Sequence, residues 1–203
     1  MIALTAIGFS GIVNADVIPV TNPSFETGDP STSTFAGWTK GIGGGYENSG
    51  SYIGDGNTSA DRYEILIGRF GNATKQPFWT QNTSFTPTVA GTTYILTVDV
   101  ATANALGSIA RIELYGTTSS TIYAWNEFTP LATNKWYETA ANYLSDGTEG
   151  EALGIRLKFG VTSTGANDRI EFNNVRLDSE VPEPNSLALL GLGGLLLARR
   201  RHN

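Results

Sequence analysis

At 203 residues, with a net charge of −6, no cysteine and a single histidine, His202, the chain is long enough for one ordinary domain plus terminal segments. The acidity removes the basic face that nucleic acid requires, and the missing thiols exclude disulfide scaffolding and cysteine chemistry. Charged residues are only 16% of a sequence rich in Gly, Thr, Ser and Asn, and no long helical period runs through its middle, so an all-β domain is expected.

The first segment, residues 1–15, reads as a secretory signal peptide. An apolar stretch runs from Ile2 to Val13, and Val13-Asn14-Ala15 makes an acceptable cleavage site before a mature start at Asp16. No Lys or Arg precedes the apolar stretch, which is expected if a positive n-region lies upstream of this start. The alternative is a buried first strand from Ile2 to Val13.

Residues 16–180 form a succession of short alternating segments separated by Gly, Asn, Asp and Pro clusters. Strands are predicted at Asp16 to Val20, Tyr63 to Gly68, Phe78 to Phe85, Tyr94 to Val100, Arg111 to Tyr115, Ile122 to Phe128, Trp136 to Leu144, Ile155 to Val161 and Arg169 to Leu177. Alternation turns Tyr94, Leu96, Val98 and Val100 inward, with Ile112 and Leu114, with Tyr63, Ile65 and Ile67, and with Ile155, Leu157, Phe159 and Val161 against an outward Arg156 and Lys158. Half-buried strands in this number make two packed antiparallel sheets, a β-sandwich.

Three patches carry a resemblance. They are Asn22-Pro23-Ser24-Phe25-Glu26-Thr27-Gly28 followed by Gly37-Trp38, the centre Gly91-Thr92-Thr93-Tyr94-Ile95-Leu96-Thr97-Val98-Asp99-Val100, and the finish Phe172-Asn173-Asn174-Val175-Arg176-Leu177. Together they resemble the galactose-binding-like jelly rolls, especially carbohydrate-binding modules of the family 4, 9 and 22 type. The resemblance implies neighbouring first and last strands, and core positions for Trp38 and Trp136 at their strand starts. It also implies a structural calcium held by Glu26 and Asp178, since hard cations take six to eight oxygen ligands. Gly54 to Asp61 is oxygen-rich but reads as a turn.

Enzyme chemistry recedes by subtraction. The domain has no imidazole for a triad or a zinc site. Glu47, Glu64, Glu113, Glu127 and Glu138 are available to a glycosidase, but no spacing singles out a pair. The chain is therefore expected not to be an enzyme. A sugar site needs flat aromatic faces beside polar groups, and Tyr123, Trp125 and Glu127 alternate onto one side of their strand. The opposite phase would bury Tyr123 and Trp125. A second set is Tyr46 and Tyr52 around the glycine-rich Gly41 to Gly45 segment, with Trp79 and Gln81.

Residues 181–203 close the chain with Pro182-Glu183-Pro184, an apolar run from Leu187 to Ala198 and Arg199-Arg200-Arg201. This resembles the PEP-CTERM sorting tail of exported bacterial proteins. The prolines stop any upstream element, the run predicts a C-terminal hydrophobic helix, and the arginines favour the cytoplasmic side. The run is shorter than the ~20 residues of a comfortable span, which suits a transient inner-membrane anchor. The resemblance implies recognition by an exosortase-type membrane protease and delivery outside the cell or to its surface. The expected role is non-catalytic polysaccharide binding, with a structural or adhesive matrix protein as the alternative and a small glycan-active enzyme as a minor one.

Overall fold

Alternating apolar residues make the strands, and two sheets bury their apolar faces against each other. The computed structural model describes residues 14–25, 28–29, 34–41, 65–68, 78–102, 107–159 and 169–181. In chain order the strands are β1 (Asn14–Ile18), β2 (Gly28–Asp29), β3 (Thr34–Phe35), β4 (Thr39–Gly41), β5 (Ile65–Gly68), β6 (Phe78–Asn82), β7 (Thr93–Ala101), β8 (Ala110–Gly116), β9 (Ile122–Phe128), β10 (Tyr137–Leu144), β11 (Leu153–Phe159) and β12 (Arg169–Val181). Each of the strands expected from the sequence has its counterpart. The signal segment before Asn14, the Gly54 to Asp61 turn and the tail beyond Val181, with its expected helix, lie outside the described residues.

The first sheet runs β1-β12-β7-β10, with β5 sharing the β1 edge of β12, and the second runs β4-β6-β11-β8-β9. All these pairings are antiparallel. β1 does lie beside β12, from Asn14 opposite Val181 to Ile18 opposite Leu177. β12 ends at the residue before Pro182, where a missing N–H stops the ladder. The core between the sheets holds Tyr94, Leu96, Val98, Val100, Phe172 and Leu177 from one and Trp79, Ile112, Leu114, Ile155, Leu157 and Phe159 from the other. Trp38 joins this core, whereas Trp136 stands half-buried ahead of β10. Thr97 and Asp99 alternate away from the core yet are also buried, and Asn174 Nδ2 donates to Asp99 Oδ2 at 3.0 Å.

Two local devices close the sandwich. At one end the Asn22 to Phe25 turn is tied down by Phe25 N–H donating to Asn22 O (3.1 Å) and by the Trp38 indole donating to the same carbonyl (3.2 Å). Val175 N–H reaches Pro23 O from the bulge in β12, where Asn174 takes a positive φ of 48°. Gln81 completes this end as a side-chain strand mimic: its Oε1 accepts from Thr21 N–H (2.7 Å) and its Nε2 donates to Thr21 O (2.8 Å). Along the β9/β10 side, Tyr123 stacks on Tyr143 at 4.9 Å, and Tyr143 on Tyr94 at 6.3 Å. The first two phenols of this stack donate to acids, Tyr123 to Glu151 and Tyr143 to Glu149.

The outer face of the second sheet is shaped by two glycines. Gly41 sits directly opposite Phe78 and Gly154 opposite Tyr115. A Cβ on either would run into the partner's ring, so each aromatic side chain lies over a glycine in the neighbouring strand. Gly154→Ala is expected to cost about 1–3 kcal/mol through overpacking, read as a lowered urea midpoint. The same change at the exposed Gly107, where a Cβ meets nothing within 4 Å, is strained through its positive φ of 100° but leaves Tyr115 undisturbed. Only Gly154→Ala should alter the near-ultraviolet tyrosine signal.

Candidate functional site on the outer face of the second sheet

Strand register sets the outward side chains of the second sheet in three rows. The central row reads Thr39, Thr80, Arg156, Glu113 and Trp125 across β4, β6, β11, β8 and β9. On one side the row is Gly41, Phe78, Lys158, Arg111 and Glu127, and on the other it is Asn82, Gly154, Tyr115 and Ile122. Position on the sheet therefore brings together residues far apart in sequence.

Glu113 occupies the middle, and its side chain is 0% exposed. Arg111 Nε approaches its Oε1 at 2.6 Å and Lys158 Nζ at 2.9 Å, while Arg156 Nη1 reaches Oε2 at 3.1 Å. Burial by itself raises the Glu113 carboxyl, but the hydrogen bonds and charges of Lys158 and Arg111 overcome it and hold the group below its ordinary range. The cations are oriented in turn. Arg111 also faces Glu127 at 3.4 Å, and its guanidinium lies over the Trp125 ring, 4.2 Å from the centroid. Trp125 is 53% exposed, so the ring backed by Arg111 still presents area to solvent.

Next to this platform is a cleft of about 430 Å³ lined by Gly37, Thr39, Phe78, Thr80, Asn82, Tyr115, Thr117, Ser120 and Arg156. Arg156 lies between two rings, 4.4 Å from Tyr115 and 5.3 Å from Phe78. Tyr115 is fixed by donating its hydroxyl to Asn82 Oδ1 at 2.7 Å. Burial pushes its phenol up more than the Arg156 charge pulls it down, which keeps it a donor. At the far end the turn after β8 is held by Glu151, whose carboxylate accepts from Thr118 N–H, Ser119 N–H and Ser119 Oγ at 2.6, 2.8 and 2.5 Å. The Ser119 hydroxyl and amide lead in drawing that carboxyl down to about 2.

The residues expected from sequence divide. Trp125 and Glu127 lie on the outer face. Tyr123 does not join them, because a register shift between Leu114 and Tyr115 puts an extra residue into β9 and turns its ring into the tyrosine stack. Trp79 (1% exposed) and Gln81 (4%) point the other way from a sugar face: β6 turns them inward, Trp79 against Phe35 and Gln81 onto Thr21. Phe78, Thr80 and Asn82 are the members of β6 that face the cleft. Tyr46, Tyr52, Glu47 and Glu64 lie outside the described residues, as do the sorting residues Pro182, Glu183, Pro184, Arg199, Arg200 and Arg201. Glu138 is on β10, paired with the exposed Arg176. Arg111, Arg156, Lys158, Phe78 and Tyr115 were not singled out as site residues from sequence, although the alternation of β11 already placed Arg156 and Lys158 outward.

The calcium expectation rests on Glu26, which lies outside the described residues, and on Asp178. The latter stands opposite Val17 of β1 and Ile95 of β7. Among the described residues no group of three or more acidic, histidine or cysteine side chains is placed to hold a metal ion. Among the same residues no helix is long and apolar enough to cross a membrane.

Comparison with known proteins places this architecture. A cyclase from Fischerella sp. TAU superposes with a TM-score of 0.62 at 20% identity, over 84% of this chain and 100% of that one. A Stig cyclase of the same organism, solved with (3Z)-3-(1-methyl-2-pyrrolidinylidene)-3H-indole, gives 0.52 at 19% identity over 84% and 100%. An arabinose-bound α-L-arabinofuranosidase gives 0.59 at 13% identity, over 84% of this chain and 27% of that one. These identities show a shared fold. Among curated proteins none matches. The resemblance to carbohydrate-binding modules is thereby corrected at the level of family and kept at the level of jelly-roll fold. The model of the HpiC1 cyclase family matches residues 16–178, and the chain belongs to that HpiC1-like family, with a PEP-CTERM protein-sorting motif of the exosortase system over residues 180–201.

Proposed function

We propose that this protein is a non-catalytic polysaccharide binder of the cell surface, delivered by its sorting motif, with its ligand lying across the outer face of the second sheet. The observation that carries the reading is the Trp125 ring, 53% exposed yet held from beneath by Arg111. A sugar ring buries its C–H face on such a surface, worth about 25 cal/mol per Å² of apolar area covered. A ring already fixed by its neighbour loses little rotamer freedom on binding. Glu127, Lys158 and the hydroxyls of Thr39, Thr80, Thr117 and Ser120 supply polar contacts alongside. Exosortase recognises the motif, and residues beyond Val181 serve as the transient anchor.

Three acids among the described residues are set as hydrogen-bond and ion-pair acceptors rather than as proton donors. A general acid must hold a proton near its working pH. Glu113, Glu149 and Glu151 are all held below their ordinary range, Glu149 because hydrogen bonds from Ser145 and Tyr143 outweigh its burial. Membership of the HpiC1-like family favours a second reading, a cyclase-type activity on a small aromatic substrate. Under it, indole-bearing ketones or imines would raise the melting temperature and be turned over, while polysaccharides would leave the protein untouched.

Screening the full-length chain against a broad polysaccharide array is the primary test. Trp125→Ala is expected to weaken binding roughly tenfold to a hundredfold, the equivalent of about 1.5–3 kcal/mol of lost aromatic burial, with an unchanged far-ultraviolet spectrum. Silence of the folded wild-type protein on the whole array would favour a matrix protein without a sugar site.

Acidity tests the charge cluster beneath the platform. The folded pKa of Glu113 lies below its unfolded value of 4.5, so the stability it contributes is complete above that pH and is lost as pH falls through the folded value. Urea midpoints are expected to decline below about pH 4.5. Glu113→Gln, which leaves three cations without their shared counter-charge, should cost about 3–5 kcal/mol at pH 7 and flatten that acid decline.

A further inference from the structure

The cleft beside Trp125 differs from the platform in chemistry. The platform is an open ring, whereas the cleft is built around one guanidinium. Arg156 gives Nη1 to Glu113, and its Nε is buried without a hydrogen-bond partner among the described residues. Its plane is fixed by the Tyr115 and Phe78 rings, and these are fixed by Gly154, Gly41 and Asn82. Among the described residues, the other polar side chains lining the cleft are hydroxyls and an amide, from Thr39, Thr80, Asn82, Thr117 and Ser120.

The charge balance points the same way. Among the described residues of this face, Arg111, Arg156 and Lys158 stand against Glu113 and Glu127, an excess of one positive charge on a chain whose net charge is −6. Charges beyond about 8 Å are largely screened at physiological ionic strength. A ligand in the cleft therefore responds to the local cations more than to the acidic remainder. Glu151, the acid nearest the Thr117 to Ser120 turn, directs its carboxylate into amide and hydroxyl donors of that turn and of Tyr123.

We infer that the cleft takes the carboxylate of a uronic acid residue, so that the polysaccharide recognised on this face is an acidic one, with Trp125 stacking a neighbouring sugar. This inference rests on the polysaccharide-binding reading of the same face. A carboxylate can meet the planar fork of an arginine through two parallel hydrogen bonds, and since a tetrahedral oxyanion can do the same, a sulfated chain is the comparison that tests for selection of the carboxylate. The hydroxyls of the cleft are suited to the ring hydroxyls beside that carboxylate.

The test is isothermal titration of the full-length chain with polygalacturonate and alginate, each beside its carboxyl-reduced neutral form, and with dextran sulfate. The acidic chains are expected to bind at least about tenfold tighter than their neutral forms, with the preference shrinking at high salt and dextran sulfate binding more weakly. Arg156→Gln should abolish the preference, Arg156→Lys should keep part of it by retaining the charge without the fork, and Trp125→Ala should weaken all chains together. Near-ultraviolet spectra establish that each variant is folded, and Arg156→Lys reads the same preference if the Gln variant is not. Equal binding of acidic and neutral chains, or a preference for dextran sulfate, would overturn the inference and leave the platform reading standing. Absence of binding to every polymer would overturn both.

Discussion

A carboxylate buried under a sheet face, with three cations converging on it, is the constraint on which the outer surface of this protein depends. Glu113 lies in the middle strand of three, with Arg156 and Lys158 on β11 and Arg111 two residues earlier on β8. Desolvating one carboxylate is costly, and the arrangement is favourable only because several partners share it. Its consequence is order as well as stability. The same contacts fix Arg111 beneath Trp125 and Arg156 between two rings, so a surface of long side chains becomes a surface of set geometry.

The backbone cooperates through omission. Gly41 and Gly154 leave room for Phe78 and Tyr115 to lie against the sheet, and the rings in turn wall the cleft. On the core side the opposite phase of the same strands delivers Trp79, Ile112, Leu114, Ile155 and Leu157 to the interior. One alternation thus builds the core and the candidate site at once. A site on strands of a sandwich is more rigid than one on loops, which suits recognition of an extended chain.

The nine longer strands, and the inward faces of β7, β8 and β11, were legible because alternation and turn residues agree there. Three features were not. In β6 both phases carry an aromatic residue, Phe78 or Trp79, so alternation fits either phase; packing chose to bury the larger ring, which removed Trp79 and Gln81 from the surface. In β9 a single added residue reversed Tyr123 relative to Trp125, and such a bulge leaves no mark on composition. The burial of Glu113 came from side chains of three strands meeting over it, a product of register between β8, β9 and β11. Its trace in the sequence was the spacing of Arg111 with Glu113 and of Arg156 with Lys158, charges two apart on strands otherwise apolar.

Family and fold leave function to the site. The HpiC1-like family is named for a cyclase, while this chain couples the fold to a PEP-CTERM motif and to an outer face of aromatic rings and paired charges. The most direct measurement is fluorine NMR of the chain labelled with fluorotryptophan, whose four tryptophans give four reporters, during titration with polysaccharide. The account predicts that the Trp125 signal, assigned by its loss in Trp125→Phe, shifts on binding while those of the buried Trp38 and Trp79 hold still. A bound state that leaves Trp125 unmoved would place recognition elsewhere and contradict it.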